Sequence, residues 1–113
     1  MDINILDRCY NEIKENASAD DTAKELWYDL LVKAIDYTVW RAKWSVMSVE
    51  EKLEKNDSRI SCHNSVIIHF NMMSRYLDSI GVKHLWKIEI GENRKDIGDF
   101  ATYIVFREAT DNR

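Results

Sequence analysis

The chain has 113 residues, a formal net charge of −4, 45% hydrophobic residues, two cysteines and no proline. This length is typical of one domain, and the apolar content is too high for a disordered chain. Two cysteines are too few for a disulfide scaffold, and no apolar run approaches the roughly 18 residues of a membrane span. The dispersed basic residues and the net acidity argue against nucleic-acid binding, because affinity for phosphates comes from clustered Lys and Arg.

The first four residues, Met-Asp-Ile-Asn, do not resemble the start of a secretory signal, which carries basic residues before an apolar stretch. We therefore predict a cytoplasmic protein with both cysteines reduced. The absence of proline and the scarcity of glycine favour long helices, because these residues are the strongest helix breakers.

Two helices are predicted in the first 43 residues. One apolar stripe at helical spacing predicts a helix over 2–16, formed by Ile3, Leu6, Tyr10 and Ile13. Ser18 and Asp21 have the spacing of a capping box, which predicts that the second helix begins there and runs to about Lys43.

The second predicted helix has an unusually wide apolar arc, which is typical of a central helix packed by several neighbours. The arc consists of Leu26, Trp27, Leu30, Leu31, Val32, Ala34, Ile35, Val39 and Ala42. Two residues depart from the pattern, since Trp40 falls on the polar face and Arg41 falls within the arc. We expect Trp40 to point outward and Arg41 inward, paired with an acidic residue of another helix or subunit, because a buried guanidinium needs a partner.

A second capping box, Ser48 with Glu51, predicts a short helix that ends near Lys55. Residues 56–58, Asn-Asp-Ser, are predicted to break the chain and to cap the next helix. That helix ends at the residue before Gly81, since glycine is favoured just beyond a helix C-terminus.

The segments 82–90 and 100–106 fit either helices or strands. Asp96 as an N-cap favours a helix in the second segment, whereas its β-branched and aromatic run favours a strand. Two strands would form a hairpin with a long loop, and an isolated hairpin is marginally stable. We therefore predict an all-α, single-domain bundle over 1–113, with five or six helices around a long central helix. The alternative is an α+β fold with a C-terminal β-hairpin.

Two short motifs resemble small uncharacterised helical bacterial proteins of similar size. They are Arg59-x3-His63-Asn64 and the run from Arg94 to Phe100, Arg-Lys-Asp-Ile-Gly-Asp-Phe. The resemblance covers the second half of the chain and implies a helical bacterial domain, with no activity attached.

Arg59 and His63 are four residues apart and share one helix face. With a carboxylate such as Asp99 or Asp96 packed opposite, they could form a small anion-binding or proton-transfer site. The alternative is a structural Arg–carboxylate pair that joins two helices. The candidate ligand-binding residues are Arg59, His63, Asn64, Arg94 and Asp99.

A different group of residues suggests a contact surface. Trp is strongly enriched at the centre of protein interfaces, and Trp40 on a polar face lies close to Arg41 and Trp44. His63 and His69 are six residues apart and point in different directions, so we predict no metal site. The sequence predicts no catalytic residue and no cofactor.

Two functional hypotheses follow. The first is a small protein–protein interaction or regulatory module that acts as a homo-oligomer, such as a homodimer, through self-association or a protein partner. The second is a small-ligand-binding protein or enzyme with a polar pocket near Arg59, His63 and Asp99. The weak catalytic signals favour a role other than catalysis.

Overall fold

Five α-helices make up residues 2–111, the part of the chain that the computed structural model describes. They are α1 (Ile3–Ala19), α2 (Asp21–Ser45), α3 (Val49–Ser79), α4 (Trp86–Ile90) and α5 (Arg94–Asp111). This range contains no strand, so the predicted all-α bundle is confirmed. None of these helices is long and apolar enough to cross a lipid bilayer.

The alternative C-terminal hairpin is wrong. Residues 86–90 form α4, and 100–106 lie inside α5. The helix at the end of the chain buries residues three and four apart, which a strand with its two-residue period could not place on one face. These buried residues are Ile97, Phe100, Ala101 and Ile104.

The N-cap of α2 lies two residues later than the sequence predicts. Asp20 is the N-cap of α2, and its carboxylate accepts a hydrogen bond from the backbone N–H of Ala23 at 2.9 Å. The same carboxylate accepts a hydrogen bond from the hydroxyl of Tyr76 at 2.8 Å. The predicted capping box at Ser18 is therefore wrong, and the Ser18 hydroxyl donates to the carbonyl of Glu15 within α1.

The predicted break at 56–58 is also wrong, because α3 is one continuous helix of 31 residues. The capping box of Ser48 and Glu51 at its start is confirmed. Asn56 does not cap a new helix, since its side-chain oxygen accepts a hydrogen bond from Arg59 at 3.2 Å. Asn, Asp and Ser each cost only a few tenths of a kcal/mol within a helix, less than the packing that a long α3 gains.

The end of α3 forms as predicted. Gly81 has a φ angle of 76°, a left-handed conformation that suits glycine. Its N–H donates to the carbonyl of Asp78, and the N–H of Val82 donates to the carbonyl of Leu77. These two bonds form a Schellman motif, which satisfies the last carbonyls of the helix.

Helix α2 is the central helix of the bundle, in contact with α1, α3 and α5. The core that these helices share is rich in aromatic side chains. The ring of Tyr10 lies 6.1 Å from that of Trp27, and the ring of Phe70 lies 5.8 Å from that of Trp86 and 5.9 Å from that of Phe100. All five side chains are buried, so α1 to α5 each contribute to one core.

The predicted orientations of two α2 residues are wrong. Trp40 is half-buried, because α3 packs against the face that the sequence pattern marks as polar. The side chain of Arg41 is 45% exposed. The expected acidic partner on another helix is confirmed, since Arg41 pairs with Asp99 of α5 at 2.9 Å.

Candidate ligand-binding site

A cavity of about 680 Å³ lies where the second half of α2, the middle of α3 and the first turn of α5 meet. Its α2 wall comes from residues 37, 40, 41 and 44, which share one helix face at intervals of three and four. Residues 59, 60, 63 and 64 of α3 form the second wall, and 94 and 95 of α5 close it. The lining is Tyr37, Trp40, Arg41, Trp44, Arg59, Ile60, His63, Asn64, Arg94 and Lys95.

The cavity is strongly cationic, although the whole chain carries a net charge of −4. Arg41, Arg59, Arg94 and Lys95 line it, and no Asp or Glu among residues 2–111 does so. Arg41 is paired with Asp99, whereas the other three cations have no ion-pair partner in the described part of the chain. Such a concentration of one sign of charge attracts an anion into a cleft with low-dielectric walls.

Arg59 is held in place by an aromatic ring rather than by a carboxylate. Its guanidinium carbon lies 4.7 Å from the centre of the Trp44 ring, a cation–π contact. One of its terminal N–H groups donates to Asn56 at 3.2 Å, and its buried Nε has no acceptor within residues 2–111. The guanidinium is therefore oriented while much of its hydrogen-bonding capacity stays unused.

His63 is the buried residue of the lining. Burial lowers its pKa from the ordinary value of 6.5, the hydrogen bond to the backbone of Arg94 partly opposes this, and the positive charges of Arg94, Arg59 and Arg41 lower the pKa further. Its Nε2 lies 2.9 Å from the carbonyl oxygen of Arg94, an acceptor, so the proton is on Nε2. This hydrogen bond joins α3 to α5 and leaves Nδ1 as an acceptor.

Tyr37 fixes the position of the His63 ring, and Gly98 makes room for Tyr37. The two rings lie 4.8 Å apart. Gly98 is buried inside α5, and a Cβ atom at this position would lie 3.0 Å from Cζ of Tyr37 and closer still to its hydroxyl. Only glycine therefore allows this close approach of α2 and α5.

The structure brings the two predicted groups of residues together in one cavity. Of the candidate ligand-binding residues, all but Asp99 line it, and all three candidate interface residues line it too. Asp99 pairs with Arg41 instead. The predicted N-cap at Asp96 is wrong, because the side chain of Asn93 accepts hydrogen bonds from the backbone N–H groups of residues 95 and 96.

Sequence reasoning missed Tyr37, Ile60 and Lys95 as lining residues. Tyr37 lies one turn before Trp40 and Arg41, so its spacing already places it on their face. Nothing in the sequence links that face to α3 and α5, because this contact depends on how the three helices pack.

A second, shallower groove lies between α2 and α3 on the other side of Trp40. Lysines and aspartates both line it, among them Lys33 and Asp36, so it has no strong preference for one sign of charge. Cys62 lies in this groove, and burial raises the pKa of its thiol. Cys9 lines neither cavity; it is buried, and its thiol donates to the carboxylate of Glu89 at 3.3 Å.

Comparison with protein-family models, with curated proteins and with solved structures found no match for this chain. The resemblance to small bacterial proteins therefore stays a prediction, and the functional argument depends on the geometry of the site.

Proposed function

We propose that this chain binds a small organic anion in the cavity between α2, α3 and α5. The observation that carries the proposal is a lining with four cationic side chains, two Trp, one Tyr and no carboxylate among residues 2–111. Of the three arginines in the lining, only Arg41 has an ion-pair partner among residues 2–111.

Arg59 and Arg94, the two lining arginines without an ion-pair partner among residues 2–111, suit a carboxylate or a phosphate group. The planar guanidinium offers paired N–H donors that match the two oxygens of such a group. Arg59 is oriented by Trp44, and its partner Asn56 takes only one of its donors. Because this side chain is already ordered, less conformational entropy is lost when an anion binds.

The remaining lining suits the organic part of a ligand. Tyr37, Trp40 and Ile60 provide apolar surface, and a volume of about 680 Å³ is far larger than an inorganic anion fills. Cavities of roughly 300–1,000 Å³ are typical of sites for small organic molecules. We infer a ligand with one or two anionic groups attached to a flat or aromatic body.

The lining favours recognition over catalysis. It offers N–H donors and ring faces, and the proton on Nε2 of His63 is held by the carbonyl of Arg94. A nucleophilic mechanism needs a nucleophile and a base within reach of each other. The described lining residues do not form such a pair, so we assign binding rather than turnover.

Titration of the protein with phenyl phosphate, with inorganic phosphate and with benzyl alcohol tests the proposal. Trp40 and Trp44 line the cavity, so tryptophan fluorescence reports occupancy. We expect phenyl phosphate to bind more tightly than either of the other two probes, and its affinity to fall with added salt. Equal binding of phenyl phosphate and benzyl alcohol would contradict the role of the cations.

Variants locate the site. Replacement of Arg94 by Gln removes one charged contact, which is worth about 1.5–3 kcal/mol, so we expect the affinity for phenyl phosphate to fall roughly 10- to 150-fold. The matched control is Arg75→Gln, since Arg75 is an exposed α3 arginine outside the cavity. If both variants lost affinity to the same extent, binding would be non-specific attraction to a cation.

A further inference from the structure

One face of α2 carries an exposed row of apolar side chains that no other helix of the described chain covers. Tyr28, Val32, Ile35 and Val39 are between 43% and 55% exposed. The row continues beyond them through Ala42 and through Val46, the C-cap residue directly after α2, and both are also exposed. The sequence pattern predicts that residues 32, 35, 39 and 42 are packed by neighbouring helices, and this expectation is wrong because all four are exposed. Only Val39 borders a neighbouring helix, at the edge of the groove between α2 and α3. We call these six residues the α2 seam.

The spacing within the α2 seam is that of a coiled-coil seam. Successive members are separated by four, three, four, three and four residues, the alternation of a heptad repeat. The row extends over 18 residue steps, about 27 Å at the rise of an α-helix. Exposed apolar residues are common when scattered, whereas a continuous row of this length marks an interaction surface.

The α2 seam lies on the opposite side of the helix from the ligand cavity. At about 100° per residue, residues 28, 32, 35 and 39 are centred roughly 160° from the α2 residues of the cavity, 37, 40, 41 and 44. A partner on the seam would leave the cavity open, so this inference does not depend on the proposed ligand.

Charged residues beside the seam are complementary to those of a second copy. Asp29, Asp36 and Lys43 follow one edge at seven-residue intervals, all exposed and without an ion-pair partner among residues 2–111. If two copies of α2 pair in opposite directions, Asp29 faces Lys43 of the second copy, and the two-fold axis generates this pair twice. Asp36 then faces Asp36 of the second copy at the axis, so this arrangement has two attractive pairs and one repulsive pair. If they pair in the same direction, Asp29 faces Lys24 of the second copy, again twice.

We propose that the α2 seam binds the same seam of a second copy and forms a two-fold symmetric homodimer. A seam with heptad spacing is covered best by another helix with the same spacing, and α2 itself is such a helix with its own seam exposed. A single pair of helices of this length is a small interface compared with the roughly 1,600 Å² of a standard stable one, so we expect a reversible dimer.

Sedimentation equilibrium of the full chain, from low micromolar to several hundred micromolar, tests this proposal. We expect a reversible monomer–dimer equilibrium, and the variant Val39→Lys to raise its dissociation constant by roughly tenfold or more. The matched control Ile68→Lys places the same charge at an exposed α3 position, which is 56% accessible, and should leave the equilibrium unchanged. Circular dichroism checks that both variants keep their helical content. A wild-type chain that stays monomeric throughout, or equal weakening by both variants, would overturn the proposal.

Charge reversal tests the pairing itself. Asp29→Lys should weaken the dimer, because it places two like charges together in either direction of pairing. A second change should restore the dimer, Lys43→Asp if the helices are antiparallel and Lys24→Asp if they are parallel. Restoration by either double variant supports pairing of the two seams, and failure of both overturns it.

Discussion

Replacement of Gly98 by Ala tests how closely α2 and α5 approach each other beside the cavity. Two effects oppose one another. Alanine favours a helix over glycine by about 0.5–1 kcal/mol. The new Cβ would lie 3.0 Å from Cζ of Tyr37, so the tyrosine ring has to move, and overpacking of this kind costs typically about 1–3 kcal/mol. We expect a net loss of about 1 kcal/mol in the free energy of unfolding.

Thermal unfolding followed by circular dichroism measures this loss. For a chain of this length, about 1 kcal/mol corresponds to a decrease of roughly 4 °C in Tm. Because the ring of Tyr37 stacks on that of His63, we also expect Gly98→Ala to weaken phenyl phosphate binding. The same substitution in a Tyr37→Phe background removes the closest atom, so the loss in Tm should become smaller.

The double-mutant cycle measures the interaction free energy between Gly98→Ala and Tyr37→Phe. If the tyrosine hydroxyl is the obstacle, the two substitutions together destabilise the protein less than the sum of their separate effects. A Gly98→Ala variant that is more stable than the wild type, or a loss that is unchanged in the Tyr37→Phe background, would refute the argued contact.

Two further predictions concern pH and thiol reactivity. The cap bond to the backbone of residue 23, together with the hydrogen bond from Tyr76, lowers the pKa of Asp20 below its ordinary value of 3.8. The stabilisation from this carboxylate is therefore complete above about pH 4 and is lost as the pH falls through the lowered pKa. In this pH range the Tm of Asp20→Asn should fall less steeply than the Tm of the wild type, and equal slopes would contradict the role of Asp20 as the cap. Burial, followed by the hydrogen bond to Glu89, raises the pKa of Cys9 to about 12. At pH 8 iodoacetamide should modify Cys62 well before Cys9 in the folded protein, and both cysteines at the same rate in denaturant. Peptide mass spectrometry measures the two rates, and equal rates in the folded protein would contradict the burial of Cys9.

The placement of the cavity clarifies the two functional hypotheses drawn from the sequence. Trp40 and Trp44 look like interface residues when only the pattern along α2 is considered. In the fold they face Arg59 and Arg94 across a cavity, where a ligand is a closer match than a flat protein surface. Self-association is better supported by a different part of the same helix, the α2 seam.

Local signals in the amino-acid sequence alone determine those features of the secondary structure that depend on residues close together in the chain. The capping box at Ser48, the glycine that ends α3 and the helical spacing of buried residues in α5 depend on hydrogen bonds and side chains within one or two turns. The same local signals mislead at 56–58, because the cost of three weak helix formers is smaller than the gain from packing a long α3.

Only the tertiary structure decided which face of each helix meets another. A wide apolar arc shows that burial of these side chains is favourable, but it does not show how many helices pack against them. Three helices contact α2, and they do not cover the whole arc. The seam is exposed for this reason, whereas Trp40 is half-buried because α3 packs against the face that the sequence pattern marks as polar. The cavity arises in the same way, since residues 37 to 44, 59 to 64 and 94 to 95 are distant in sequence and are brought together by helix packing alone.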